Sequence, residues 1–190
     1  LDRLVRVVTG RKYIHGAVFY ISSDDNSIDM VSASGNMKED SRYYIASINK
    51  LFVSAIVLKL YTQEKLDLQD KISEFLPARL VNGLHTYKGR DYSQNLTIGH
   101  LLSQTSGLPC YLTDKQANGK KVMTELEAGI DQSWPVSRVI DAVKDMKPHF
   151  PPGQKGKAKY IDTNHQILGL IIEKVTGKPV NVVLTNLFLE

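Results

Sequence analysis

The chain has 190 residues, 42% of them hydrophobic, and a formal net charge of +4, values typical of one globular domain or a little more, with a substantial core. Its single cysteine, Cys110, excludes a disulfide-stapled scaffold. The scattered lysines have few aromatic residues between them, which argues against a nucleic-acid partner, and no apolar run reaches the length of a membrane span.

The first 46 residues predict a short helix followed by a β-hairpin. Residues 1–8 have an amphipathic helical pattern. Two runs rich in β-branched and aromatic residues follow, 16–23 and 27–34, and the turn-forming residues Asp24, Asp25 and Asn26 separate them. We therefore expect two antiparallel strands joined by a tight turn.

The next segment predicts a long helix with a serine and a lysine near its start. Ser47 and Lys50 are three residues apart, so on a helix they share a face, with Cβ atoms about 5–6 Å apart. Residues 51–61 are apolar almost all round, which predicts burial on every side. A hydroxyl beside a desolvated amine is an arrangement for nucleophilic catalysis. The alternative is that Ser47, Lys50 and Ser54 form a polar stripe near a helix start; a buried lysine needs a partner, which favours the catalytic interpretation.

Residues 63–190 predict a mostly helical region. Asp70 and Thr97 are candidate N-caps, and Gly177, followed by Pro179, is a candidate C-cap. Residues 111–133 have the composition of a loop-rich insertion. Five segments have helical patterns: one within 63–77, then 98–104, 136–146, 165–175 and 180–189.

An ordered set of motifs gives a more specific indication than Ser-x-x-Lys alone. Ser47-Ile-Asn-Lys50 is followed by LTIGHLLSQTSGLP at 96–109, FPPG at 150–153, YIDTN at 160–164 and ILGLIIEKVTGKP at 167–179. In this order they resemble the β-lactamase-related serine hydrolases, which include class C β-lactamases, D-alanyl-D-alanine carboxypeptidases and esterases. The resemblance runs from about Gly16 to the C-terminus.

The resemblance implies a role for each matching position. Ser47 corresponds to the acylated nucleophile, Lys50 to the residue that helps to remove its proton, and Tyr160 to the tyrosine that shares the base role and protonates the leaving group. The Ser47 backbone N–H would be half of an oxyanion hole, which suits a helix N-terminus. Because burial and the helix dipole disfavour an ammonium, we expect the pKa of Lys50 to lie well below its reference value of about 10.4.

Asp162 is the fourth candidate catalytic residue and departs from the asparagine that many relatives have there. An amide can donate a hydrogen bond to a substrate carbonyl, whereas a carboxylate can only accept one. Close to Lys50, Asp162 would keep the amine protonated and shift the base role toward Tyr160. The alternative is that Asp162 faces the loop and caps a helix that begins near Thr163.

The family's third motif, Lys-Thr-Gly or His-x-Gly on an inner strand, is not found, because Lys174-Val-Thr-Gly177 has an extra residue and ends a helix. A two-stranded sheet is marginal by itself. We therefore expect an α+β fold in which the hairpin packs on a buried catalytic helix and the other strands are missing. Residues 1–190 would be the N-terminal portion of one β-lactamase-like domain, completed by further chain, a second chain or another protomer. Its parts are the hairpin and lead-in (1–46), the catalytic helix (47–62) and the helical region (63–190).

The function expected from the resemblance is a serine hydrolase that acts on an ester or amide through a Ser47 acyl-enzyme. The substrate would be a D-alanyl peptide, a β-lactam or a small ester, with a carboxypeptidase or esterase favoured over a dedicated β-lactamase. The alternative is a catalytically silent sensor that binds cell-wall peptide or a β-lactam. No metal or organic cofactor is implied. We expect export, with the leader absent from this sequence, although a cytoplasmic location is not excluded.

Overall fold

The computed structural model of the chain describes residues 1–188. It divides into two compact units, Leu1–Ala46 and Ser47–Glu190. The described residues form α-helices and two separate two-stranded antiparallel sheets, which confirms the predicted α+β class. Within residues 1–188, no helix is both long enough and apolar enough to cross a membrane.

The first unit is a helix followed by a hairpin, as the sequence predicted. Helix α1 (Asp2–Thr9) precedes strands β1 (Gly16–Ser22) and β2 (Asp29–Gly35), which pair antiparallel along their whole length. The turn between the strands is closed by Asp25, whose carboxylate accepts hydrogen bonds from the Ser23 hydroxyl at 2.5 Å and the Ser27 N–H at 3.0 Å. A short acidic side chain therefore fixes the hairpin register.

The second unit is mostly helical, and its longest helix, α8, contacts five of the others. The fully buried apolar residues of α8 are Ile167, Leu168, Ile171 and Ile172, and the helix packs against α2, α3, α5, α7 and α9. The elements of this unit are α2 (Asn49–Thr62), α3 (Ile72–Phe75), α4 (Ala78–Val81), β3 (Thr86–Tyr87), β4 (Arg90–Asp91), α5 (Ile98–Leu102), α6 (Val122–Glu127), α7 (Val136–Lys144), α8 (Asp162–Thr176) and α9 (Val180–Phe188).

Most of the predicted helices are present, with shifted ends. Helices α5 and α7 each end two residues before the predicted boundary, α8 begins three residues earlier, and the predicted end of the last helix at Leu189 lies outside the described residues. Helix α4 and the β3–β4 hairpin were not predicted. Helix α6 lies inside the segment predicted as loop. These elements have two to six residues, too few to show a hydrophobic period.

Two of the three predicted caps are confirmed. The Thr97 hydroxyl accepts a hydrogen bond from the His100 N–H at 3.2 Å at the start of α5, and Gly177 ends α8 in the left-handed conformation with φ +67°. The prediction for Asp70 was wrong. Its carboxylate accepts the Asp67 N–H at 2.7 Å in the preceding turn, and Lys71 is the N-cap of α3.

Among the described residues 1–188, helix α2 is buried on one face, which corrects the prediction of burial on every side. Val53, Ile56, Val57 and Leu60 are buried and belong to the core cluster that includes α8. On the other side, Leu51 is 68% exposed. Apolar residues all round a helix indicate that it tends to be buried. Which of these residues are buried depends on the elements that pack against the helix.

Gly107 lies where the chain turns after α5, and we expect it to tolerate no side chain. Its φ is +70°, and a Cβ atom would overlap the carbonyl oxygen of Phe150. We expect Gly107→Ala in the full-length protein to lower the free energy of unfolding by about 2–4 kcal/mol, through overpacking and left-handed strain together. Urea unfolding followed by circular dichroism measures this change.

The matched control is Gly119, which also has a positive φ of +78° but no atom within 4 Å of the point that a Cβ atom would occupy. Gly119→Ala should cost only the backbone strain, about 1–2 kcal/mol. Equal losses in the two variants would show that the contact with Phe150 is unimportant.

Candidate active site

Ser47 and Lys50 form the pair that the sequence predicted. Ser47 lies in a 3-10 turn, Ala46–Ile48, directly before α2, and Lys50 lies in the first turn of α2. The Lys50 Nζ donates a hydrogen bond to the Ser47 Oγ at 3.0 Å. The nucleophile candidate is therefore held at the N-terminal end of α2, where the helix dipole favours negative charge.

Lys50 also contacts Asp162, and this contact determines its protonation state. The Lys50 Nζ lies 2.5 Å from the Asp162 Oδ1, and the two side chains are 17% and 15% exposed. Burial acts to lower the pKa of Lys50, but hydrogen bonds and charge attraction from Asp162 and Tyr160 outweigh it and raise the pKa above its ordinary value. The expected lowering of the Lys50 pKa was wrong, because the partner carboxylate stabilises the ammonium.

Tyr160 completes the group around Lys50. The Lys50 Nζ lies 5.1 Å from the centroid of the Tyr160 ring, and the Tyr160 side chain contributes a hydrogen bond that raises the pKa of Lys50. Tyr160 is 56% exposed. The structure brings the four predicted side chains, Ser47, Lys50, Tyr160 and Asp162, together around one ammonium, and their catalytic roles stay predictions.

Asp162 is the first residue of α8 and uses both carboxylate oxygens. Its Oδ1 pairs with Lys50, and its Oδ2 accepts a hydrogen bond from the Cys110 Sγ at 3.3 Å. The alternative prediction, in which Asp162 faces the loop and caps a helix near Thr163, was wrong, because the N-cap of α8 is Ile161. Cys110 is a buried free thiol, and its contact with Asp162 was missed because the two residues are far apart in sequence.

A second polar pair lies one helical turn further along the same two helices. The Ser54 Oγ lies 3.3 Å from the His165 Nε2, and the buried His165 Nδ1 has no partner in the described structure. Burial and the nearby Lys50 ammonium lower the pKa of His165 to about 4, against a smaller opposing effect of Asp162. His165 is therefore neutral near pH 7. Ser54 lies in the predicted polar stripe, but nothing in the sequence indicated its partner.

The chemistry available in this group is that of covalent catalysis. It contains a hydroxyl nucleophile, an ammonium that can stabilise developing negative charge, and a phenol that can transfer a proton. Across residues 1–188, no set of three or more His, Cys, Asp or Glu side chains is arranged to hold a metal ion.

Comparisons with known proteins agree with this fold. A family model described as Beta-lactamase matches residues 1–190. "Protein flp" of Staphylococcus aureus (strain N315) is 31% identical over 150 residues, which cover 79% of this chain and 26% of that protein. N-acetylmuramyl-L-alanine amidase of Bacillus subtilis (strain 168) is 26% identical over 179 residues, which cover 93% of this chain and 37% of that protein.

A solved structure is similar over the whole chain. The crystal structure of a D-stereospecific amidohydrolase from Streptomyces sp. has a TM-score of 0.80 and 28% sequence identity, covering 100% of this chain and 52% of that chain. The chain thus spans between 26% and 52% of the length of these three proteins.

The buried His165 predicts a loss of stability in acid. An unfolded histidine has a pKa of about 6.5, whereas the folded-state pKa of His165 is about 4. Between these values the unfolded state binds a proton that the native state does not, so the free energy of unfolding should fall as the pH drops from about 6.5 to about 4. Urea unfolding of the full-length protein across this range measures the slope.

His165→Gln keeps a hydrogen-bonding side chain and removes this titration, so it should make the slope smaller. It should not abolish the slope, because burial also lowers the pKa of His85 and His100. The exposed His15 supplies the control, and His15→Gln should leave the slope unchanged. A wild-type slope in His165→Gln would contradict the assignment.

Proposed function

Because the chain belongs to the β-lactamase family, whose model matches residues 1–190, we propose that it carries the nucleophile of a serine hydrolase acting on amide or ester bonds. The observation that carries the proposal is the position of the Lys50 Nζ, 3.0 Å from the Ser47 Oγ and 2.5 Å from the Asp162 Oδ1. The ammonium and the N-terminus of α2 both favour negative charge on Ser47.

In the proposed acylation, the Ser47 Oγ attacks the substrate carbonyl carbon. Its proton passes to the phenolate form of Tyr160, whose charge the Lys50 ammonium stabilises. The carbonyl oxygen becomes an oxyanion, and the Ser47 N–H is one proposed donor to it. When the bond to the leaving group breaks, Tyr160 returns the proton to that group, and Ser47 is left as an ester. Water then attacks the ester and releases the acid by the reverse proton path.

Lys50 has an electrostatic role in this proposal. As long as it pairs with Asp162 as an ammonium, it cannot accept the proton of Ser47. This reasoning supports Tyr160 as the base and gives Asp162 the task of holding Lys50 protonated.

The proposed substrate is an amide or ester, with a D-alanyl peptide, a β-lactam and a small ester as the forms to test. Two of the similar proteins are named as enzymes that cleave amides, the D-stereospecific amidohydrolase and the N-acetylmuramyl-L-alanine amidase. These names support an amide as the substrate. Carboxypeptidase or esterase activity ranks above β-lactamase activity. Export, and a second chain or protomer that completes the sheet, are part of the proposal.

The second candidate is a silent protein that binds cell-wall peptide or a β-lactam without turnover. One observation favours it: the ion pair with Asp162 raises the pKa of Lys50 and removes this amine as a base near neutral pH. If Tyr160 does not take the base role, Ser47 would react slowly or not at all.

Covalent labelling separates the two candidates. We expect a fluorophosphonate or fluorescent penicillin to label the full-length wild-type protein and not Ser47→Ala, and turnover of a nitrophenyl ester to fall by roughly 10³-fold or more in that variant. Ser103→Ala, a change of an exposed serine, is the matched control and should behave as wild type. Labelling without turnover supports the sensor, and an unlabelled wild type rejects the enzyme.

The role of Asp162 is tested by Asp162→Asn. Removing the carboxylate removes the attraction that raises the pKa of Lys50, so the amine should lose its proton at lower pH and become available as a base. We expect the acidic limb of the profile of kcat/KM against pH to move to lower pH. Asp141→Asn, on the exposed side of α7, should leave it in place. A profile identical to wild type in Asp162→Asn would count against the mechanism.

A further inference from the structure

Helix α5 ends in a Schellman turn whose left-handed residue is a glutamine. The Gln104 N–H donates to the Leu101 carbonyl at 3.3 Å, and the Thr105 N–H donates to the His100 carbonyl at 2.9 Å. The φ of Gln104 is +60°. Glycine is the usual residue at this position because a Cβ atom disfavours the left-handed conformation. The glutamine therefore occupies a strained position, and its side-chain contacts indicate why.

Gln104 holds the backbone on both sides of Tyr160. Its carbonyl oxygen accepts a hydrogen bond from the Lys159 N–H at 3.0 Å, and its Oε1 accepts one from the Ile161 N–H at 2.9 Å. Ile161 is fully buried, so water cannot replace this acceptor. The left-handed turn lets the main chain and the side chain of one residue contact the same segment.

The Gln104 side chain is itself held by a buried network. Its Oε1 also accepts a hydrogen bond from the Asn164 Nδ2 at 2.7 Å, and the Asn164 Oδ1 accepts one from the Ser106 hydroxyl at 2.7 Å. Asn164 and Ser106 are fully buried. If the glutamine rotated away, buried donors would lose their acceptor, which is unfavourable. The amide oxygen is therefore fixed in place.

We propose that Gln104 is a positioning residue that holds Tyr160 beside the Lys50 ammonium. The proposal rests on the proposed function, in which Tyr160 transfers the proton of Ser47. Tyr160 is 56% exposed, so packing alone does not fix its side chain, and its placement depends on the backbone that carries it. Because a displacement of about 1 Å in a catalytic group can slow a reaction about 10²-fold, this support affects the rate.

Two substitutions in the full-length protein test the acceptor. Gln104→Met keeps the length of the side chain but removes the oxygen, and Gln104→Glu keeps an oxygen that can accept both hydrogen bonds. The readout is the second-order rate constant for labelling of Ser47 by a fluorophosphonate, which requires no knowledge of the substrate. We expect Gln104→Met to be slower by roughly 10–100-fold and Gln104→Glu to stay within about threefold of wild type. Gln94→Met, at an exposed glutamine, is the matched control and should not change the rate.

A double-mutant cycle with Tyr160→Phe distinguishes positioning from general damage to the fold. If Gln104 acts through Tyr160, then Gln104→Met should cause no further slowing when Tyr160 is already phenylalanine. Equal slowing in both backgrounds, a wild-type rate for Gln104→Met, or a Gln104→Glu variant as slow as Gln104→Met would each overturn this inference alone. Absence of labelling in the wild type would overturn the proposed function and this inference with it.

Discussion

The ion pair between Lys50 and Asp162 is the interaction on which the site depends. It joins the starts of α2 and α8, the two longest helices in the described chain, and holds the ammonium beside Ser47. An ammonium near the N-terminus of a helix is disfavoured by the helix dipole, and its partial burial adds a desolvation cost. The carboxylate of Asp162 offsets both effects, so the charge state of Lys50 and the geometry of the nucleophile follow from one contact.

Apolar packing between α2 and α8 gives this pair its register. Ile56 and Val57 of α2 lie in the same core cluster as Ile167 and Ile171 of α8. With these residues in one cluster, the polar side chains near the starts of the two helices lie close together. Lys50 is thereby brought to Asp162, and the Ser54–His165 pair forms one turn further along. The polar site is thus placed by the core beneath it.

Two residues linked to the site, one by the chain and one by hydrogen bonds, have unusual backbone conformations. Ala46, directly before Ser47, and Gln104, which holds the segment carrying Tyr160, have φ values of +47° and +60° although neither is glycine. Such residues persist where the surrounding structure compensates for the strain, and they occur often at functional sites. In Gln104 the compensation is visible as hydrogen bonds to Ile161 and Asn164.

Features that depend on near neighbours along the chain were predictable from the amino-acid sequence. These are the first hairpin, the main helices, two of the caps and the pairing of Ser47 with Lys50, because turn chemistry, periodicity, capping and i,i+3 contacts act over a few residues. The family was indicated in a different way, by the order of motifs along residues 47–179. Three features became visible in the folded chain alone: the contact between Asp162 and Cys110, the raised pKa of Lys50, and the coverage of α2 on one face. These properties depend on distances between segments far apart along the chain, and charge interactions and burial are set by such distances.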